Sequence, residues 1–213
     1  SENPSTTFTN HLFQDLDYTV TLFAISSRNC FDTTSRRVTV NPIPVASFSA
    51  DKLQGCDPVV VNFTNQSIIS DSFQWNFGDG VTSSLLNPAH AFITGVNDTI
   101  YKVKLTVFSE HGCKHSFTKE IKVYASPKAK VNFAIEGCAP VTAKFKDESE
   151  NAVFWNWQFG DGHTSSERNP EHIYFSGGVY SVKLRVSNYL GCSDTLTLNK
   201  TVIVHDVPVA NFI

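Results

Sequence analysis

Aspartate and histidine recur at matching places in this chain of 213 residues. Asp79 and Asp161 each lie between two glycines, and His90 and His172 each follow an Asn-Pro dipeptide. Acid–base catalysis by carboxylates needs two groups in different environments, and no second carboxylate recurs beside either aspartate. A partial copy of the pattern carries Thr6 in place of the histidines, a change that a hydrogen-bonding residue tolerates and a catalytic or metal-binding residue does not. We therefore expect turn aspartates and structural histidines, and no active site.

The five cysteines indicate a disulfide framework. Cys56 and Cys138 are 82 residues apart, and Cys30, Cys113 and Cys192 follow equivalent segments. This order predicts the pairs Cys56–Cys113 and Cys138–Cys192, with the partner of Cys30 in a missing first half of its own repeat. Disulfides indicate secretion or the cell surface, because those compartments are oxidising. The alternative is buried free thiols in a cytosolic protein, and zinc is less favoured because no Cys-x-x-Cys pair exists.

Other ligand chemistries find less support in the sequence. The glycines around the two aspartates do not lead from a strand into a helix, so they do not predict a phosphate site. Calcium is a minor alternative, since predicted loops carry Asp51, Asp71, Asp98 and Glu110, but their spacing does not match an EF-hand. We expect no cofactor and no bound metal.

These candidate residues belong to a tandem repeat. Trp75-Asn-Phe77-Gly78-Asp79-Gly80 returns as Trp157-Gln-Phe159-Gly160-Asp161-Gly162. The segment from Tyr101 to Leu105 matches Tyr180 to Leu184, and both match Tyr18 to Leu22. The places at which these landmarks recur predict the C-terminal half of a repeat at 1–43, complete repeats at 44–125 and 126–206, and the start of a further repeat at 207–213. We expect the chain to be a segment of a longer array.

Composition and periodicity predict β-sandwiches. Charged residues are 17% of the chain and the net charge is −3 with no basic run, so the sequence does not predict nucleic-acid binding. No apolar stretch is long enough to span a membrane. Alternation with a period of two dominates, and Gly-Asp-Gly is typical of a hairpin turn. We expect Trp75 and Trp157 in the cores, with Tyr101 and Tyr180 in the role of a tyrosine corner.

The ordered landmarks resemble the PKD (polycystic kidney disease) domain. They are Trp-x-Phe-Gly-Asp-Gly, Ser-Ser, Asn-Pro, His-x-(Phe/Tyr) and Tyr-x-Val-x-Leu-x-Val, with Gly-Cys pairs typical of a disulfide-bearing type. The resemblance implies immunoglobulin-like sandwiches that act as spacers or binding modules. It also implies large surface or secreted proteins of Bacteroidota, some of them gliding adhesins exported by type IX secretion. The usual Asp of Trp-Asp-Phe is Asn76 and Gln158 here, which weakens the case for a metal beside that strand.

Exposed aromatics and threonines are the remaining candidate sites. Phe23, Ile25, Phe108 and Tyr189 are predicted to point outward, where they either pack against neighbouring repeats or form a binding face, whereas Trp155 is predicted to point inward. Three tripeptides of the form Asp-Thr-x resemble an O-glycosylation signal, with acceptors at Thr33, Thr99 and Thr195.

The sequence thus predicts a structural rather than an enzymatic role. Short proline-containing linkers join the repeats, so we expect an elongated array that holds a distal domain away from the cell. Its partners would be neighbouring repeats of the same chain, with surface polysaccharide or secretion and motility proteins as further candidates. The alternative is that the repeats bind carbohydrate or protein directly, or accompany a secreted hydrolase.

Overall fold

The computed structural model describes residues 3–210, and every helix or strand in that range is a β-strand. The prediction of an all-β chain is therefore confirmed. In chain order the strands are β1 (Leu16–Ile25), β2 (Phe31–Val40), β3 (Phe48–Ala50), β4 (Gln54–Cys56), β5 (Val59–Asn65), β6 (Ser72–Asn76), β7 (Thr82–Ser83), β8 (Ala89–Phe92), β9 (Thr99–Phe108), β10 (Lys114–Tyr124), β11 (Ile135–Cys138), β12 (Val141–Lys144), β13 (Phe154–Gln158), β14 (Thr164–Ser165), β15 (Glu171–Tyr174), β16 (Gly178–Ser187) and β17 (Ser193–His205).

The described range ends within the predicted start of a further repeat. Residues 211–213 lie outside it, so the expectation for 207–213 can be followed only as far as residue 210. Within residues 3–210, no helix has the length and apolar character that crossing a bilayer requires.

The described chain divides into two compact units. The first contains residues 3–53, 60–91 and 101–121, and the second contains 54–59, 92–100 and 122–210. The hairpin β1–β2 and most of the first sandwich therefore lie in the first unit. The second unit holds the second sandwich together with the short strand β4.

The first unit begins with a two-stranded hairpin. Strands β1 and β2 pair antiparallel from Leu16 opposite Val40 to Ile25 opposite Phe31. Most of their side chains are exposed on both faces. The hairpin thus has the strand pattern of the complete repeats, but within residues 3–210 no second sheet covers it.

The first sandwich has a five-stranded sheet in the order β4-β10-β9-β6-β7 and a three-stranded sheet in the order β3-β5-β8. Period-2 alternation fills its core: Val103, Leu105 and Val107 of β9 are fully buried, whereas Lys102 and Lys104, which alternate with the first two of them, are exposed. Strand β4 is parallel to the last residues of β10. This parallel edge pairing fixes where Cys56 lies, at the end of β10 that is distant from its hairpin.

Aromatic side chains join the two sheets of the first sandwich. Trp75 is fully buried, and its ring lies 5.0 Å from Phe48 and 5.5 Å from Phe63, measured between ring centroids. The indole Nε1 donates a hydrogen bond of 2.9 Å to the Leu85 carbonyl. The tryptophan therefore fills the core with its ring and pins a loop with its one polar atom.

The second sandwich repeats this plan inside the second unit. Its sheets have the orders β11-β17-β16-β13-β14 and β12-β15. Trp157 is fully buried against Phe145, with 5.3 Å between ring centroids, and donates to the Glu167 carbonyl at 2.9 Å. The Tyr180 hydroxyl donates to the Ser176 carbonyl four residues earlier, at 3.0 Å, and Tyr101 holds the equivalent place in β9. Immunoglobulin-like architecture follows for both repeats.

Candidate functional site

Each repeat holds one aspartate–histidine pair at its Gly-Asp-Gly turn. His90 Nε2 lies 2.6 Å from Asp79 Oδ2, and His172 Nε2 lies 2.7 Å from Asp161 Oδ2. The second oxygen of each carboxylate accepts a backbone N–H two residues later, at 3.0 Å in the first repeat and 3.1 Å in the second. Both oxygens of each aspartate are thus already engaged inside the turn.

An aromatic ring fixes each histidine from the other side. The His90 ring stacks on Phe77 with 4.1 Å between centroids and 3° between planes, and His172 stacks on Phe159 at 4.2 Å and 3°. Phe77 and Phe159 are buried. The histidine therefore connects the turn to the core through one hydrogen bond and one ring face.

The charge on these aspartates is stabilised by the same contacts. Burial raises the pKa of Asp79, but the hydrogen bond from His90 and the N–H of Val81 outweigh it and hold the pKa below its ordinary value. The pKa of Asp161 is lowered in the same way by His172 and the N–H of His163. Each repeat thus keeps a partly covered carboxylate ionised within its turn.

The glycines that frame these aspartates have different constraints. Gly78 and Gly160 have φ of 87° and 89°, and a Cβ there would lie 2.9 Å from the Lys102 backbone or 2.6 Å from the Ser181 carbonyl oxygen. Gly80 and Gly162 also have positive φ, but a Cβ there would meet no atom within 4 Å. The first glycine therefore permits close packing of the turn on a neighbouring strand, and the second serves only the turn.

A third donor distinguishes the second repeat. His163 Nδ1 lies 3.3 Å from Asp161 Oδ2, so Asp161, His163 and His172 have potential ligand atoms within 4.8 Å of one another. Carboxylate and imidazole donors suit zinc or a similar divalent metal. The first repeat has Val81 at the position of His163 and makes the same aspartate–histidine contact. Hydrogen bonding alone therefore explains the pair.

The structure corrects the predicted disulfides. Cys56 is bonded to Cys192 with 5.5 Å between their Cα atoms, and Cys30, Cys113 and Cys138 are free thiols. The predicted pairs Cys56–Cys113 and Cys138–Cys192 are wrong, because each would join opposite ends of one sandwich.

The strand register supplies the physical reason for the correction. Cys56 lies opposite Tyr124, the last residue of β10, whereas Cys113 immediately precedes the first residue of that 11-residue strand. Eleven residues of strand span about 35 Å, far beyond the reach of a disulfide. The order of the cysteines in the sequence does not show which end of a sandwich each one occupies. The useful signal would have been the position of each cysteine relative to the two ends of β10 or β17.

The remaining predicted sites lie apart from one another. Among the described residues, the calcium candidates Asp51, Asp71, Asp98 and Glu110 are not brought into a cluster of three or more potential metal ligands. The carboxylate of Asp51 accepts two hydrogen bonds from Asn62, which lower its pKa, and that of Asp98 accepts the Ala125 N–H.

The threonine candidates differ in access. Thr33 and Thr195 are exposed on strands, whereas Thr99 is half-buried and its hydroxyl lies 2.6 Å from that of Thr94. A glycan acceptor must present a free hydroxyl, so Thr33 and Thr195 are the accessible positions of the three.

A polar groove marks the outer face of the second sandwich. It has a volume of about 740 Å³ and is lined by Phe154, Trp155, Asn156, Gln158, Lys183, Arg185, Ser187, Ser193 and Thr195. Phe154 is 51% exposed and Tyr189 is 80% exposed, and their rings meet edge to face at 5.4 Å.

The other apolar side chains that the sequence singled out differ in exposure. Phe23 and Ile25 are also exposed, and Phe108 is half-buried. Trp155 is half-buried and packs against the core.

Comparison with known proteins identifies the repeats. A family model described as PKD domain matches residues 41–125 and 124–204. The chain is 37% identical over 71 residues to the pre-pro-metalloprotease PrtV of Vibrio cholerae, covering 33% of this chain and 8% of that protein. It is 30% identical over 140 residues to collagenase ColA of Clostridium perfringens, covering 63% of this chain and 12% of that protein. The chain thus spans about a tenth of the length of these relatives.

Solved structures of single domains also match. The PKD1 domain of the Vibrio cholerae metalloprotease PrtV is 28% identical, with a TM-score of 0.33, covering 39% of this chain and 99% of that domain. The PKD1 domain of Vibrio anguillarum Epp is 28% identical, with a TM-score of 0.34, covering 40% of this chain and 99% of that domain.

Proposed function

The chain belongs to the PKD domain family, and on that premise we propose that it is a non-catalytic spacer within a larger extracellular protein. The observation that carries this proposal is the bond between Cys56 and Cys192, because it joins β4 of one repeat to the β16–β17 hairpin of the next. A covalent tie between successive repeats limits how far their linker can bend, which is the property that a spacer needs.

Hydrogen bonds around the linker support the same role. The Ser126 hydroxyl donates to the Asp57 carbonyl at 2.8 Å, and the Asn188 side-chain amide donates to the Ala125 carbonyl at 3.1 Å. The linker residues Ala125 and Ser126 are thus held by Asn188, whose side-chain oxygen accepts the Cys192 N–H, and by Asp57, which follows Cys56 in the sequence. Together with Pro127, these contacts favour one linker conformation.

The setting of the spacer is part of the proposal. The disulfide supports an oxidising compartment, outside the cell or on its surface. Relatives that include a metalloprotease and collagenases support a parent protein that carries a hydrolase elsewhere. The sequence resemblance supports a second setting, a surface adhesin of Bacteroidota exported by type IX secretion. Locating the protein in wild-type cells and in cells lacking that export machinery separates the two settings.

Small-angle X-ray scattering tests the spacer role directly. We expect a narrower distribution of distances in the oxidised wild-type chain than in Cys192→Ser, because the variant lacks the bond between Cys56 and Cys192. Cys113→Ser is the matched control, because Cys113 is a free thiol at the equivalent hairpin position. Equally broad distributions for all three proteins would contradict a spacer role.

Direct binding is the second candidate function. The polar groove beside the exposed Phe154–Tyr189 pair has the donors, acceptors and aromatic faces that carbohydrate recognition uses. Pull-down with insoluble glycans tests it, with Phe154→Ala and Tyr189→Ala as probes. Phe175→Ala is the control, since Phe175 is 76% exposed and does not line the groove. Retention that Phe154→Ala and Tyr189→Ala abolish and Phe175→Ala preserves favours binding, and no retention favours the spacer.

A further inference from the structure

The free cysteines occupy the same two structural positions as the bonded ones. Cys138 ends β11, a short strand parallel to the last residues of β17, as Cys56 ends β4 beside the last residues of β10. The residue after each cysteine donates its N–H to the final strand residue: Asp57 to the Tyr124 carbonyl and Ala139 to the His205 carbonyl, both at 2.9 Å. Cys138 is therefore presented as Cys56 is, at the end of a sandwich and next to the linker that leaves it.

Cys113 is likewise presented as Cys192 is. In both hairpins the cysteine carbonyl accepts an N–H from four residues earlier: from Ser109 at 2.9 Å and from Asn188 at 3.0 Å. The glycine before each cysteine has positive φ, 75° at Gly112 and 83° at Gly191. The two hairpin tips therefore have the same turn, and differ in that Cys192 has a partner.

The hairpin tip is also anchored in the same way in both repeats. The residue two positions after the hairpin cysteine accepts the N–H of an alanine that lies two residues after the linker proline: Ala46 donates to His115 Nδ1 at 3.0 Å, and Ala129 donates to Asp194 Oδ2 at 2.9 Å. Each hairpin thus lies against the linker that enters its own repeat. A strand cysteine at the end of the preceding repeat lies beside that same linker.

From these equivalences we propose that Cys138 and Cys113 are disulfide sites for further PKD repeats of the same polypeptide. Cys138 bonds the hairpin cysteine of the repeat that follows, and Cys113 bonds the strand cysteine of the repeat that precedes. Each repeat is then tied to both neighbours in a continuous series, and none is closed by a bond within itself. This inference concerns bonding partners and stands whether or not the array acts as a spacer.

The chemistry is ordinary thiol oxidation. One thiolate of the pair attacks a disulfide oxidant such as oxidised glutathione and releases one thiol, and the second thiolate then displaces the other. The two cysteines lose two electrons and two protons, and the oxidant is reduced to two thiols. Cys138 is exposed and Cys113 is half-buried, so Cys138 is the more accessible of the two.

An extended chain tests the proposal. Residues 126–206 are copied after residue 206, so that the new linker reads His205-Asp206-Ser-Pro in place of Tyr124-Ala125-Ser126-Pro127. One conservative substitution near each copied cysteine gives its peptide a mass different from that of the original. The protein is refolded with reduced and oxidised glutathione, alkylated, digested without reduction and mapped by mass spectrometry. We expect two inter-repeat disulfides, Cys56–Cys192 and Cys138 to the copied Cys192.

Any other pattern of disulfide bonds overturns the proposal. Cys138 remaining a thiol while Cys56–Cys192 forms would mean that the site is specific to one junction. Pairs within a repeat, such as Cys56–Cys113, would mean that the series is wrong. Covalent dimers through Cys138 would assign a second copy of the chain as its partner. In the matched control the copied Cys192 is changed to Ser, and Cys138 must then be recovered alkylated.

Discussion

The hairpin β1–β2 and the hairpins β9–β10 and β16–β17 share one sequence pattern but have different surroundings. Leu22 of β1 is 61% exposed, whereas its equivalents Leu105 and Leu184 are 0% and 1% exposed. In the complete repeats a second sheet covers this face, and within the described residues the first hairpin has no such cover. Alternation therefore determines that the segment is a strand, and the second sheet determines that its apolar face is buried.

The leucine position offers the largest expected contrast. Leu105→Ala or Leu184→Ala removes a buried side chain and should lower the free energy of unfolding of its repeat by about 2–5 kcal/mol. Leu22→Ala should change it by less than about 0.5 kcal/mol, as an exposed substitution does. Urea unfolding followed by tryptophan fluorescence measures all three. A loss for Leu22→Ala as large as for Leu105→Ala would mean that the first hairpin is covered in solution.

The cysteine at each hairpin tip gives the next contrast. Cys192→Ser removes a disulfide between residues 136 positions apart and should destabilise the chain by about 2–4 kcal/mol. Cys113→Ser removes only a free thiol and should leave the melting temperature nearly unchanged. Thermal unfolding without reductant measures the melting temperatures of both variants, with Cys30→Ser as a second control. Equal losses of stability in Cys113→Ser and Cys192→Ser would contradict this prediction.

The Gly-Asp-Gly turn exists only in the complete repeats, and its two glycines should differ. Gly162→Ala meets open space and should cost about 1–2 kcal/mol for the left-handed backbone alone. Gly160→Ala adds a contact with the Ser181 carbonyl oxygen and should cost about 1 kcal/mol or more beyond that. Chemical denaturation of the two variants measures the difference. Equal costs would show that the turn can move away from β16.

The aspartate–histidine pair gives the smallest contrast and a pH dependence. The pKa of Asp161 is lowered in the folded state, so its contribution is complete above its ordinary pKa of 3.8 and is lost as pH falls through the lower folded value. Asp161→Asn should cost about 1 kcal/mol at pH 7 and progressively less below pH 3.8. Urea titrations at several pH values, with Asp79→Asn as the equivalent change in the first repeat, measure this. A cost independent of pH would contradict a charged role.

The fold followed from the sequence because its determinants are local and repeated. Trp75 and Trp157 alternate with amides along their strands, and the glycines mark the turns, so strand, hairpin and core position could all be derived from neighbouring residues. The pairing of the cysteines could not be derived from neighbouring residues. It depends on β4 lying parallel to the far end of β10, a register between segments some 70 residues apart.

The candidate sites show the same limit. The sequence singled out Asp161 and His172 separately, but their hydrogen bond and the stacking on Phe159 depend on the turn and β15 meeting in space. His163 was missed because the first repeat has Val81 there, and a search for recurring residues passes over it. A position that differs between otherwise matching repeats is the signal that could have found it.

The bond between Cys56 and Cys192 also determines the path of mechanical load. When the chain is pulled from its two ends, tension crosses from residue 56 to residue 192 through sulfur, and the residues between them bear none of it. A loop of that size, fully drawn out, measures roughly 450 Å. Single-molecule stretching should therefore release this length only after a reductant is added. Under oxidising conditions the protein lengthens only through the segments outside the bond, which include β3 and β17 and therefore the core residues Phe48, Val202 and Val204.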